Sequence, residues 1–241
     1  AWINDIPEYT HLNWDRLYNV NWNNYDADGL RRSKYAVEER RVDQNDINLN
    51  ASVKWMASKI FTLTGGVNYK WNRTEYYKKM DDLLGGDYYL NIDQFAERDF
   101  ASSPTMVQND LDYFLEFGEA KSLKEGDKYG YDYYAHVRNA NLWANGALDL
   151  GGFKANLALE AGYAKFWREG LVRKGLFAGL DENGNEMMYE GKVLTTYDAK
   201  TGKAITSKGN SEIADFLTYS AKLELQYHFE GGHRIYANGA Y

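Results

Sequence analysis

The chain has 241 residues with 35 acidic and 28 basic side chains, a net charge of −7, and this acidic balance disfavours nucleic acid as a partner, because phosphate binding needs a basic surface. It has no cysteine, which removes disulfide frameworks and thiolate metal sites, and no apolar run of about 18 residues that would make a spanning helix. Mean hydropathy is only −0.66, yet aromatic residues make up 16% of the chain, with 21 Tyr and 7 Trp, so helical membrane proteins are excluded and strand-built ones are not.

Residues 1–45 hold Trp2, Trp14, Tyr18, Trp22 and Tyr25 among many Asn and Asp, and read as an ordered loop. Over 46–75, Ile47, Leu49, Ala51, Val53 and Trp55 alternate with polar residues. After a turn at Met56 to Lys59, Phe61, Leu63, Gly65, Val67, Tyr69 and Trp71 do the same. Side chains in a strand point alternately to opposite faces, so this period predicts a two-faced hairpin. Residues 76–130 form a long excursion, with helical turns expected within Asp110 to Lys121 around Leu111, Phe114, Leu115 and Phe117.

A second hairpin is predicted over 131–171, where Leu142 to Leu150 and Phe153 to Tyr163 flank Gly151-Gly152. Residues 172–215 read as a loop with small hairpins, one turning at Asn183-Gly184 and one over Thr196 to Ile205. The third hairpin, 216–241, opens with the clearest alternation in the chain. Leu217, Tyr219, Ala221, Leu223, Leu225, Tyr227 and Phe229 share one face, opposite Thr218, Ser220, Lys222, Glu224, Gln226 and His228. Soluble strands usually run about 5 to 6 residues, whereas a membrane-crossing strand needs roughly 9 to 11. The expected fold is therefore all-β, an antiparallel transmembrane β-barrel segment of about six long strands in three hairpins, with short turns on one side and long extracellular loops on the other.

The candidate chemical sites each have two readings. Asp81, Asp82 and Asp87 around Gly85-Gly86 are hard-cation ligands by type or a loop paired with Arg. Asp181, Asn183 and Asn185 echo half a calcium loop, but Lys192 stands where the closing Glu belongs, so a hairpin turn is expected. His11, His136, His228 and His233 lack the spacing of a zinc helix. No nucleophile elbow, phosphate-binding glycine loop or cysteine nucleophile occurs, so neither catalysis, nor a cofactor, nor a metal is expected. The loop aromatics Tyr88, Tyr89 and Phe95, with Tyr113, Phe114 and Phe117, are either stacking platforms for a ligand or the packing of the loops themselves. Tyr88, Tyr89 and Phe95 are the expected ligand-binding residues.

Leu12 to Asn21, the Asp81 to Phe100 block and Glu125 to Asp132 resemble the barrel part of the TonB-dependent outer-membrane receptors, in their large, loop-rich form from Gram-negative gut-type bacteria. That resemblance implies a place in the cell outer membrane and a barrel of about 22 strands plugged by a separate N-terminal domain. It also implies TonB as the energising partner through that region, with outer-membrane lipid around the wall. A small-molecule, glycan or peptide ligand is implied, together with a surface lipoprotein as a further partner. Ala1 reads as inside a loop and Tyr241 as inside a strand, so the chain is expected to be an internal segment of a longer polypeptide. Two other classes stay open, a non-transporting barrel serving as scaffold or adhesin, and a soluble β-sandwich binding module.

Overall fold

The structure, a computed structural model, describes residues 11–241; Trp2 lies outside the described residues. Six long strands dominate it. They are β1 (Val37–Met56), β2 (Phe61–Asp82), β5 (Lys128–Asp149), β6 (Phe153–Gly170), β10 (Ala214–His228) and β11 (Arg234–Ala240), hydrogen-bonded in that sequence order. The short strands are β3 (Tyr89–Leu90), β4 (Ser122–Leu123), β7 (Met188–Tyr189), β8 (Lys192–Val193) and β9 (Gly209–Asn210). Helices are α1 (Trp14–Trp22), α2 (Gln94–Asp99) and α3 (Leu111–Phe117). With 55% of the described residues in strands and bridges, the fold is all-β. The β6–β10 ladder is antiparallel and unbroken from Phe153↔Tyr227 to Phe166↔Ala214, so residue parity defines its two faces over the whole length.

The chain forms two compact units. A wall unit takes Gln44–Thr74, Ala135–Arg168 and Ser211–Tyr241; a loop unit takes the described residues up to Asp43, Glu75–Tyr134 and Glu169–Asn210.

In the wall unit three tight turns lie side by side. Asp149 donates its N–H to the Ile60 carbonyl at 2.8 Å, and His228 donates to the Gly152 carbonyl at 2.7 Å. Ser58 closes the first turn by accepting from the Phe61 N–H at 3.1 Å. Gly151 (φ 82°) and the pair Gly231 and Gly232 (φ 90° and 82°) occupy the left-handed region that a Cβ disfavours. On β2 the apolar positions are the more open ones, with Val67 50% exposed while Asn72 and Thr74 on the polar face are 8% and 5% exposed. Glycine lets polar-face neighbours close over a strand, since a Cβ at Gly162 would stand 2.4 Å from Asn141 Oδ1 and 2.6 Å from Thr218 Oγ1.

In the loop unit the apolar cores are small. Met80, Leu83 and Leu123 form one, with Tyr89 and Tyr129 against it; Leu111, Phe114 and Ala178 form another. α3 starts where Asp110 accepts the Tyr113 N–H at 3.1 Å and stops at Gly118, whose left-handed φ of 77° ends the helix. Both expected small hairpins are present as the bridges Leu180↔Glu186 and Tyr197↔Ala204. A further one, β7–β8, turns at Glu190-Gly191. The long strands reach past the hairpin limits read from sequence, with β1 starting at Val37 and β2 ending at Asp82.

Candidate functional site

The Asp81 to Phe100 block is built around one buried amide. Asn21, fully buried at the end of α1, donates through Nδ2 to the carbonyls of Tyr35 (2.8 Å), Leu83 (3.0 Å) and Leu84 (3.1 Å). Its Oδ1 accepts from the N–H groups of Lys34 (2.8 Å) and Tyr35 (3.1 Å). Ser33 Oγ adds a bond to the Leu83 carbonyl at 2.6 Å. This convergence explains Gly85-Gly86, because a Cβ at Gly85 would meet the Trp22 indole at 2.1 Å and one at Gly86 would meet Ser33 Oγ at 1.9 Å.

Two of the three acidic residues around those glycines, Asp82 and Asp87, are already engaged. Asp87 is held by both arms of Arg31, Nη2 at 2.7 Å and Nε at 3.0 Å, and by the Arg31 backbone N–H at 2.8 Å. Asp82 accepts the Leu84 N–H at 2.7 Å. The Arg31 side chain, and then its backbone N–H, pull the Asp87 carboxyl from 3.8 down to about 2. A depressed carboxyl contributes stability that is complete above its ordinary value and disappears as pH falls through its folded value. The Arg31–Asp87 clamp is therefore expected to hold at pH 5 and to open between about pH 4 and about pH 2. Hydrogen exchange at the Arg31 amide reports it, and Asp87→Asn removes the acid-dependent step.

The three expected ligand residues are placed differently from one another. Tyr88 donates its hydroxyl to Asp26 at 2.8 Å, and Ser33 donates its N–H to the Tyr88 carbonyl at 2.8 Å, so Tyr88 closes the loop. Tyr89 packs edge-on against Tyr129, centroids 6.0 Å apart, while its hydroxyl accepts from Gln94 at 2.7 Å. One wall of a cleft of about 410 Å³ is Tyr89, with Arg32, Ser33, Lys34 and Gln94 around it. Phe95, in the first turn of α2, is 77% exposed and does not line that cleft. Phe114 is core, and Phe117 is exposed beside Tyr113 at a centroid distance of 4.5 Å. The cleft lies within the usual size range for small-ligand sites. Glu97 lines it too, so an aromatic wall and a rim with two cations, an amide and a carboxylate suit a polar ligand carrying both donor and acceptor groups.

Sequence reasoning missed Arg32, Lys34 and Gln94. The local signal was the N-cap Asp93, which accepts from the N–H groups of Phe95 (3.0 Å) and Ala96 (3.2 Å), starts α2 and thereby sets Gln94 facing Tyr89.

On the polar face of the wall unit, Asn72 donates to Asp46 at 2.9 Å. His228, which parity places on that face, has Nε2 2.6 Å from Gln226 Nε2. No cluster of metal-ligating side chains occurs among the described residues. Comparison of the chain with family models, with curated proteins and with solved structures returned no match.

Proposed function

We propose that this chain forms part of the wall and outer mouth of an outer-membrane β-barrel, and that the barrel is a TonB-dependent receptor that captures and imports a nutrient. The observation that carries the reading is the inverted sheet of the wall unit. Val67, Leu142, Leu157 and Leu223 are 44 to 62% exposed on one face, while on the other Asn72 is buried and Thr64, Asn68, Asn141 and Asn156 are half-buried. Soluble monomers rarely expose a continuous apolar patch above a few hundred Å², and the other sheets among the described residues have only two strands each. The apolar positions on β6 run from Phe153 to Tyr163, a rise of roughly 33 Å that a tilt of about 40° reduces to roughly 25 Å, the height of a barrel's lipid-facing band.

The receptor half of the reading rests on the resemblance of Asp81 to Phe100 and on the cleft beside Tyr89. An outer membrane has no energy source of its own, so uptake of a solute too large for porins needs an inner-membrane partner. In intact cells, external trypsin is expected to cut at Lys192, Lys200 or Lys203 and to spare Lys59 and Arg234 beside the tight turns. Accumulation of fluorescent oligosaccharides and peptides above porin size is expected to fall to background without TonB. Cutting at the turns from outside reverses the orientation, and uptake that ignores TonB overturns the receptor assignment.

A further inference from the structure

The apolar face of the wall unit ends in charge. On β6, Leu157, Leu159, Ala161, Tyr163, Lys165 and Trp167 share one parity, and the unbroken ladder with β10 keeps them on one face. On β2 the same face carries Val67, Tyr69 and Trp71, and on β5 it carries Leu142, Ala140 and Arg138; a Cβ on Gly65 would meet Ala144 across the two strands, which fixes their shared parity. At the end away from the tight turns, the Arg138 guanidinium sits 4.7 Å from the Trp71 ring centroid and 5.2 Å from that of Trp167. The Lys165 ammonium lies 5.7 Å from the Trp167 ring. Tyr69 and Tyr163 stand beside them and line the same hollow.

Neither cation forms an ion pair among the described residues. Arg138 spends Nη1 on the carbonyls of Asn72 (2.7 Å) and Val137 (2.9 Å), which orients the guanidinium and leaves its Nε and Nη2 edge for another acceptor. Asp215 pairs with Lys165 in the β6–β10 register, but its carboxylate accepts the Tyr163 hydroxyl at 3.0 Å. A planar fork and a point cation against one indole, with a second indole at the fork, are the chemistry of phosphate recognition at a membrane interface.

The second half of the site is a groove of about 840 Å³ on the apolar face, floored by Gly65, Ala144 and Ala161 and banked by Leu63, Val67 and Leu142. Small side chains in the middle of a leucine belt make a channel for a chain-like apolar ligand. From Val67 to Trp71, from Leu142 to Arg138 and from Ala161 to Lys165 the strands advance four residues, roughly 13 Å. Half a hydrocarbon core is roughly 15 Å. One acyl chain lying in the groove therefore brings its headgroup to the two cations.

We infer that this face seats one anionic, phosphate-bearing membrane lipid, its phosphate held by Arg138 and Lys165 against Trp71 and Trp167 and an acyl chain lying over Gly65, Ala144 and Ala161; the inference rests on the membrane reading of the wall. The site differs from the Tyr89 cleft in location and in ligand. The intact protein in a non-ionic maltoside detergent is titrated with dioctanoyl phosphatidylglycerol, with dioctanoyl phosphatidylcholine and with inorganic phosphate, and retained lipid is read by native mass spectrometry. Phosphatidylglycerol is expected to bind more tightly than phosphatidylcholine, and inorganic phosphate is not expected to displace it. Arg138→Gln with Lys165→Gln is expected to weaken phosphatidylglycerol about thirtyfold, whereas Arg138→Lys, which keeps the charge and loses the fork, weakens it less, and Ala144→Phe weakens it with the charges intact.

Unchanged affinity in the double glutamine variant, equal binding of the two lipids, or displacement by inorganic phosphate each overturns the lipid seat. Quenching of Trp55 by brominated lipid, read as the part of total quenching removed by Trp55→Phe, reports insertion independently of Arg138 and Lys165. Quenching with a failed titration overturns the seat alone; absence of quenching overturns the membrane reading and the seat with it.

Discussion

Replacing Asn21 by alanine is expected to destabilise the loop unit by about 3 to 5 kcal/mol, enough to melt it at physiological temperature. The side chain is fully buried and serves five backbone groups, on Lys34, Tyr35 (twice), Leu83 and Leu84. Each buried group left unpaired costs roughly 1 to 3 kcal/mol, and partial relaxation toward water keeps the total below the plain sum. Asn21→Asp keeps the acceptor but loses the donors, so it is expected to be nearly as damaging. Asn23→Ala is the control, because Asn23 is exposed and only donates to the Asn19 carbonyl at 2.7 Å; there the change should stay within about 0.5 kcal/mol. Hydrogen exchange at the Leu83 to Tyr89 amides measures both, and native-like protection in Asn21→Ala would remove this residue as the organiser of the block.

An arginine at Val67 or Leu159 is expected to cost about 2 to 4 kcal/mol in the membrane-folded protein, while one at Thr64 on the polar face is mild. The test is decisive because the two environments predict different magnitudes. Val67 is 50% and Leu159 49% exposed, and at such positions in water a charged substitution changes stability by only about 0.5 kcal/mol. Facing hydrocarbon, the same arginine must be dragged toward an interface or solvated by thinning the bilayer. Denaturant unfolding from lipid vesicles separates the cases. Equal, small losses at Val67, Leu159 and Thr64 would place the apolar face in water and defeat the wall assignment.

The strands were legible where the two faces meet different surroundings. Leu217 to Phe229 reads plainly because one parity is apolar and the other polar. The extension from Val37 to Asp46 was not legible, since there both faces carry charge: Glu38 takes Lys78 at 2.8 Å, Asp43 takes the Tyr77 hydroxyl at 2.8 Å and Asp46 takes Asn72 at 2.9 Å. Hydropathy has no period where cross-strand hydrogen bonds hold both sides. α3 was foreseen from its apolar spacing, whereas α1 was not, although Asn13 caps it by accepting the Arg16 N–H at 2.9 Å; among so many asparagines a single cap carries little contrast.

In the loop unit the difficulty is distance along the chain. Asn21 meets residues 62 and 63 positions away, and Asp87 meets Arg31 across 56, separations for which local pattern supplies no cue. Gly85-Gly86 stood out, and the Arg-paired reading of its acidic neighbours holds at Asp87, but only the approach of Trp22 and Ser33 gives the glycine pair its reason. Of the aromatic residues singled out, Tyr89 lines the cleft, Tyr88 ties the loop through its hydroxyl, and Phe95 stands open to solvent.

The missing side chain at Gly162 also bears on how this sequence can change over generations. Asn141 on β5 and Thr218 on β10 belong to strands that are not ladder partners, yet both reach into the space a Cβ at Gly162 would fill. An alanine arriving there first meets two polar atoms at once; one arriving after Asn141 and Thr218 have become smaller meets neither. The order of the steps is thereby constrained, and in a collection of descendants the residues at 141 and 218 should vary together, with the identity at 162 deciding which pairs are permitted.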